Sequence, residues 1–267
     1  MIEHFQNYLE RSGFARNTVR SYVDSVRFFL SRYGNVTEEN LSAYKALLVE
    51  RYKPRTVNLR LNAINKYLTF IHQRPLKVKG VKVQQKAYLE NVISNADYRF
   101  FKRKLKADGE GMWYFIVWIM AATGVRISEL LQIKAEHIHA GHVDLYSKGG
   151  KLRRIYFPEG LQREAIAWLR ENHVRTGYLF RNRFGDVITP RGVAMRLAEF
   201  ARRYGIDPKV VHPHAFRHRF AKNFLDKVND ISFLADLLGH ESIETTRIYL
   251  RRTSTEQREL LDQVVTW

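Results

Sequence analysis

The chain has 267 residues, 45% of them apolar and none of them cysteine, with 45 lysines and arginines against 27 aspartates and glutamates, a net charge of +18. That is enough apolar material for two packed domains rather than a disordered polymer, and it excludes disulfides, cysteine-ligated zinc and a cysteine nucleophile. The excess charge favours encounter with a polyanion and is spread along the chain, with 16 basic and 6 acidic residues up to position 86 and 29 and 21 beyond it.

The N-terminal residues MIEHFQNYLERSG carry early charges and no apolar core, unlike a secretion signal. The most apolar run, Met112 to Ala122, is eleven residues long, short of the roughly 20 that cross a bilayer. It is expected to be a buried helix, and no membrane partner is expected.

Residues 1–72 are expected to form a bundle of four helices. Ile2, Phe5, Tyr8 and Leu9 fall at helical spacing. Val19, Tyr22, Val26, Phe29 and Leu30 follow a polar start at Asn17 and Thr18 that would cap the second helix. Thr37 before Glu38 and Glu39 marks the third start, and Pro54 with Thr56 opens the fourth. Residues 73–87 then change character. QRPLKVKGVKVQQK holds five basic residues, a proline and a glycine without a helical stripe, and is expected to be a basic linker, with a short Val/Lys-alternating strand as the other option.

A second domain, 88–267, is expected to be mostly helical with one small antiparallel hairpin. Helices are expected at 95–107, 111–122 and 126–133. The period then shortens to two at His142–Tyr146 and Leu152–Phe157, with Ser147-Lys148-Gly149-Gly150 as the turn between them. Further helices are expected near 160–172, 190–204, 214–227, 231–238 and 243–250. A last amphipathic segment at 255–265 carries Leu260, Leu261, Val264 and Val265.

This domain places arginines and histidines beside strongly apolar helices, where unpaired charge is costly. Arg126 follows the buried-looking helix, His214 and Arg217 share a helix face, His240 follows a helix-ending Gly239, and Tyr249 lies nine residues on. No carboxylate cluster suggests a hard metal ion and no phosphate-binding loop suggests ATP, so neither metal nor cofactor is expected. Two guanidinium forks, two imidazoles, a lysine and a phenol suit metal-free phosphoryl transfer. The arginines would grip phosphate oxygens, and a phenol with an ordinary pKa near ~10 needs cations or a base to attack.

Five motifs in order resemble the tyrosine site-specific recombinase family, phage-integrase-like and Xer-like. They are Thr123-Gly124-Val125-Arg126-Ile127-Ser128-Glu129-Leu130, Lys148 before a Gly-Gly turn, His214-Ala215-Phe216-Arg217, Leu238-Gly239-His240, and Tyr249. Phe216 stands where the family often has leucine, and Arg251 where it often has histidine. His212 competes with His214 but lacks an arginine three residues later, and Lys151 competes with Lys148. The resemblance implies a helical core-binding domain, a catalytic domain and cleavage of double-stranded DNA through a 3′-phosphotyrosine. Arg126 and Arg217 would clamp the phosphate, Lys148 would protonate the leaving oxygen, His214 would assist Tyr249, His240 would bond the phosphate, and Glu129 would orient its neighbours.

The resemblance further implies a homotetramer on two DNA sites, with 255–267 as a helix exchanged between copies, and it allows for accessory DNA-binding or partner recombinase proteins. It implies a cytoplasmic enzyme, nucleoid-associated in a prokaryote. No room is expected for an additional arm-binding domain. Integration, excision, inversion and dimer resolution all stay open. So do three alternatives: a type IB topoisomerase-like nicking-closing enzyme, which would relax supercoils without joining two duplexes; a relative that binds without cutting; and a basic RNA-binding protein, for which no RNP-type or KH-type motif is present.

Overall fold

The computed structural model describes residues 1–84, 91–146, 152–240, 242–251 and 254–265. The chain divides into two compact units, Met1–Gln85 and Lys86–Trp267. In the first, α1 (Ile2–Arg11), α2 (Arg16–Tyr33), α3 (Glu38–Arg51) and α4 (Pro54–Phe70) bury one apolar stripe each. Phe5, Phe29, Tyr44 and Leu61 are fully buried at its centre, and Tyr44 meets Phe29 edge-on at 5.1 Å. Thr37 caps α3 by accepting a hydrogen bond from the Asn40 amide at 3.1 Å. Helix α2 differs from expectation: it starts at Arg16 after Ala15, and neither Asn17 nor Thr18 caps it.

The basic segment beyond α4 has a fixed course. After a single 3-10 turn at Arg74–Leu76, two asparagines one helical heptad apart hold it. Asn65 donates to the Val78 carbonyl and accepts from the Val78 amide, both at 2.9 Å. Asn58 does the same for Val81, at 2.9 and 2.8 Å. Each carboxamide thus pairs with a backbone group as a neighbouring strand would. Leu76, Val78 and Val81 pack on the core of the first unit, and the lysines between them face outward along a strap.

The second unit opens with α5 (Asn95–Ala107), capped by Ser94, and α6 (Gly111–Thr123). Helix α6 is buried around most of its circumference, as its unbroken apolar sequence requires, and it ends where Gly124 takes a left-handed φ of 61°. Instead of one helix over 126–133 there is a single turn, α7 (Ile127–Leu130), and a separate α8 (Ala135–Ala140). The break has a partner distant in sequence: Leu179 donates to the Ile133 carbonyl and Ala135 to the Gly177 carbonyl.

Strands β1 (His142–Tyr146) and β2 (Leu152–Tyr156) pair antiparallel, with Val143 opposite Ile155 and Leu145 opposite Arg153. The expected turn residues Ser147 to Gly150 lie outside the described residues, as does Lys151. Helices α9 (Glu159–Glu171), α10 (Pro190–Arg203), α11 (Pro213–Val228) and α12 (Ile231–Leu238) complete the main body, and α11 packs along α6. The helix expected at 243–250 is two pieces, α13 (Ile243–Thr246) and a 3-10 turn at Arg247–Leu250. Last comes α14 (Ser254–Val264), where Leu260, Leu261 and Val264 remain exposed. No helix among the described residues is long and apolar enough to cross a membrane.

Candidate active site

Two helices that end in left-handed glycines create the site. Gly124 ends α6 and Gly239 ends α12, both at φ 61°, and each leaves its carbonyl free of the helix ladder. Arg217, on α11 and 2% exposed, donates to the Gly124 carbonyl at 2.6 Å and to the Leu238 carbonyl at 2.8 Å. Arg126 donates to the Gly239 carbonyl at 2.9 Å. The two arginines far apart in sequence are therefore held against the same pair of helix ends. A β-carbon at Gly124 would collide with the Phe220 ring and come within 2.8 Å of Leu238, so this approach needs glycine.

Glu129 organises the Arg126 side. One carboxylate oxygen accepts from Arg126 Nη1 at 2.7 Å, and the other from the Arg126 amide at 2.8 Å and from Arg153 Nη1. Burial alone would raise its pKa, but Arg153 and the Arg126 backbone and side chain together hold it below the usual carboxylate value. Glu129 is thus an anion between two guanidiniums.

His240 stands at the other edge. Arg217 Nη2 lies 2.9 Å from its Nε2, and Thr246 Oγ1 lies 2.7 Å from its Nδ1. A guanidinium can only donate, so Nε2 accepts and Nδ1 carries the proton toward Thr246. Burial, reinforced by Arg217 and Arg126, lowers the His240 pKa to about 4, so the ring is neutral at pH 7.

The 3-10 turn carries Tyr249 beneath these groups. Its ring stacks on His240 with centroids 6.2 Å apart and planes at 11°, and it is 5% exposed. Burial raises the phenol's pKa, while the charge of Arg217, a hydrogen bond from it and the charge of Arg126 act in the opposite sense. The pKa of His214, which keeps an exposed edge, is lowered by partial desolvation and by the charges of Arg217 and Arg126.

Arg126, Arg217, His240 and Tyr249 thus come together, with His214 at one side. The His218 ring lies 5.3 Å from both His214 and Tyr249. His212 serves as the cap of α11, its Nδ1 accepting from the Ala215 amide at 3.2 Å. Lys148 lies outside the described residues. Sequence reasoning assigned no role to His218, Arg153 or Thr246. The strand alternation was a usable signal for Arg153, because positions 153, 155 and 157 share one face and the other two are Ile and Phe. Chemically, the group offers a cationic pocket for a tetrahedral anion, an uncharged imidazole and a phenol.

Residues 89–256 match the phage integrase family, more than half of the chain, and the chain belongs to that family. It is a tyrosine recombinase, an enzyme that cleaves and rejoins DNA at specific sites. It is 30% identical to the tyrosine recombinase XerA of Pyrococcus furiosus over 98% of this chain and 93% of that one. To XerD of Listeria monocytogenes it is 27% identical, over 98% and 97%. Among solved structures, the Tn1549 transposon integrase in complex with circular intermediate DNA shares the fold, with a TM-score of 0.73 and 19% identity over 99% of both chains. The XerA recombinase crystal structure aligns over 100% of this chain and 98% of that one, with a TM-score of 0.56 and 24% identity.

Proposed function

We propose that Tyr249 is the nucleophile that breaks the DNA strand, and that Arg126 and Arg217 hold the scissile phosphate while it does so. The observation that carries this is the convergence of two arginines, His240 and Tyr249 from four segments of the chain onto one pair of helix ends. The phenol oxygen would bond to phosphorus as the 5′-oxygen leaves with a proton from Lys148, and the phenol's own proton would pass toward His214. Arg126 and Arg217 would neutralise the non-bridging oxygens, with His240 at the same phosphate. The 3′-phosphotyrosine keeps the energy of the broken phosphodiester, so a 5′-hydroxyl from a partner strand can attack it and reseal the DNA. No metal or nucleotide cofactor enters this scheme.

The substrate is double-stranded DNA, a reading supported by the similar folds of XerH, solved bound to its difH substrate, and of the Tn1549 integrase, solved with circular intermediate DNA. Residues 1–72 would serve as a core DNA-binding domain, 73–87 as the connection and 88–267 as the catalytic domain. Four copies would act on two duplexes in the cytoplasm. Segment 255–267 would pass to a neighbouring copy, a role supported by the exposed Leu260, Leu261 and Val264 of α14. Truncation after Leu250 is expected to abolish assembly of paired sites while leaving binding to one site measurable. Normal assembly by the shortened chain would refute the exchange.

The primary test uses duplex oligonucleotides tiling the DNA that flanks the gene, nicked just 3′ of each candidate phosphate so that a short fragment is lost after cleavage. Wild type is expected to form a protein–DNA adduct without added metal, and Tyr249→Phe none. An adduct that persists in Tyr249→Phe would assign the nucleophile to another residue.

A further inference from the structure

Arg153 is, with Arg217, one of two almost fully buried arginines at the site, and the proposed chemistry gives it no part. Strand alternation points it inward beside Ile155, and it is 4% exposed. Its Nε donates to the Leu237 carbonyl at 2.8 Å, and its Nη1 donates to Glu129. Its Cδ sits where a β-carbon on Gly239 would be, at 2.6 Å. A buried ion pair is a poor source of stability compared with an apolar side chain of similar size. Here Nη2 is buried without a hydrogen-bond partner among the described residues, which adds to the cost.

The charge count gives Arg153 a purpose. Glu129 alone beside Arg126 would form a neutral pair, and a neutral pair attracts phosphate weakly. With Arg153 on its second oxygen, the triad Arg126–Glu129–Arg153 carries +1. The side chain of Arg126 is 34% exposed and that of Arg153 is 3% exposed, so Arg126 is the member of the triad that opens to solvent, while Arg153 is turned toward Glu129 and the Leu237 carbonyl. Glu129 can then orient Arg126 through two bonds without cancelling it.

Resting on the assignment of this site as the phosphate clamp, we propose that Arg153 is a positioning residue for DNA cleavage, which acts through Glu129 by absorbing its charge and keeps Arg126 both fixed and cationic. It touches neither DNA nor the reacting atoms. The role makes a prediction that simple packing does not: removing Arg153 is harmful chiefly because Glu129 is left unbalanced, so neutralising Glu129 in the same molecule should restore activity.

The experiment compares wild type, Arg153→Met and the double variant Glu129→Gln/Arg153→Met in single-turnover cleavage of the nicked duplex, with duplex affinity and thermal midpoint measured in parallel. Arg153→Met is expected to cleave roughly 10²-fold more slowly, with affinity within about threefold of wild type. The double variant is expected to regain at least about tenfold of the rate and most of the lost thermal midpoint. A double variant no faster than Arg153→Met, or an Arg153→Met as fast as wild type, overturns the proposal while leaving the clamp intact. A wild type that forms no adduct overturns the clamp and this proposal with it.

Discussion

His218 shows how burial and function compete at a single residue. It is enclosed by His214 and Tyr249, its Nδ1 has no partner among the described residues, and burial followed by the neighbouring His214, His212 and Arg217 lowers its pKa to about 4. An unfolded histidine titrates near ~6.5. Above that pH neither state is protonated and the native contribution is complete. As pH falls from about 6.5 toward 4, the unfolded chain binds a proton that the native ring refuses, and stability is lost. His240 titrates in the same direction. The thermal midpoint of the second unit is therefore expected to drop between about pH 6.5 and 4.5, before most carboxylates protonate. His218→Gln is expected to remove up to about 3 kcal/mol of that acid sensitivity; a pH–stability curve unchanged by the substitution would contradict this. At Gly124, alanine meets both a left-handed backbone and the Phe220 ring, and Gly124→Ala is expected to destabilise by more than about 2 kcal/mol in chemical denaturation.

Among elements, the strap is the one whose behaviour differs from its composition. A lysine-rich run with a glycine and a proline has the makings of a loose tether, yet Asn58 and Asn65 fix its backbone at Val78 and Val81. Asn65→Ala removes two hydrogen bonds and leaves one amide and one carbonyl seeking water, a loss expected at about 1–3 kcal/mol. Limited tryptic digestion after Lys77 and Lys79 is expected to accelerate in that variant, and unchanged digestion would mean the strap is held otherwise. The helices were legible because their apolar spacing is a local property, and α6 stood out because its sequence is apolar throughout. The break between α7 and α8 was not, because its cause is backbone pairing with Gly177 and Leu179, more than forty residues on. The site was legible where motifs are contiguous, at Arg126, Arg217, His240 and Tyr249. Its supports were legible only in part: Thr246 matters through one hydrogen bond to His240, and strand alternation turns Arg153 inward without telling that it meets Glu129 and the Leu237 carbonyl.

At the scale of the whole chain, a hydrophobic core within the first unit, two hydrophobic clusters within the second and a positive charge excess spread over both set the expected behaviour. Each hydrophobic cluster draws its buried residues from one unit alone, so calorimetry is expected to resolve an unfolding transition for each unit; a single two-state peak would argue for strong coupling between the units. The net charge of +18 is divided as +10 up to position 86 and +8 beyond it. Duplex affinity is therefore expected to fall steeply with salt, with a log–log slope of about −5 or steeper, and a slope near zero would mean that phosphates contribute little.

The enclosure of Tyr249 also makes the protein its own reporter. A phenol that is 5% exposed is shielded from reagents dissolved in water, whereas Tyr146 and Tyr156 on the outer face of the hairpin are 79% and 62% exposed. Tetranitromethane should nitrate those two quickly and Tyr249 slowly in the free protein. The rate at Tyr249 then measures how often the pocket opens unaided, and its change on adding an uncleavable duplex would show, without any strand being cut, whether DNA itself draws the nucleophile out.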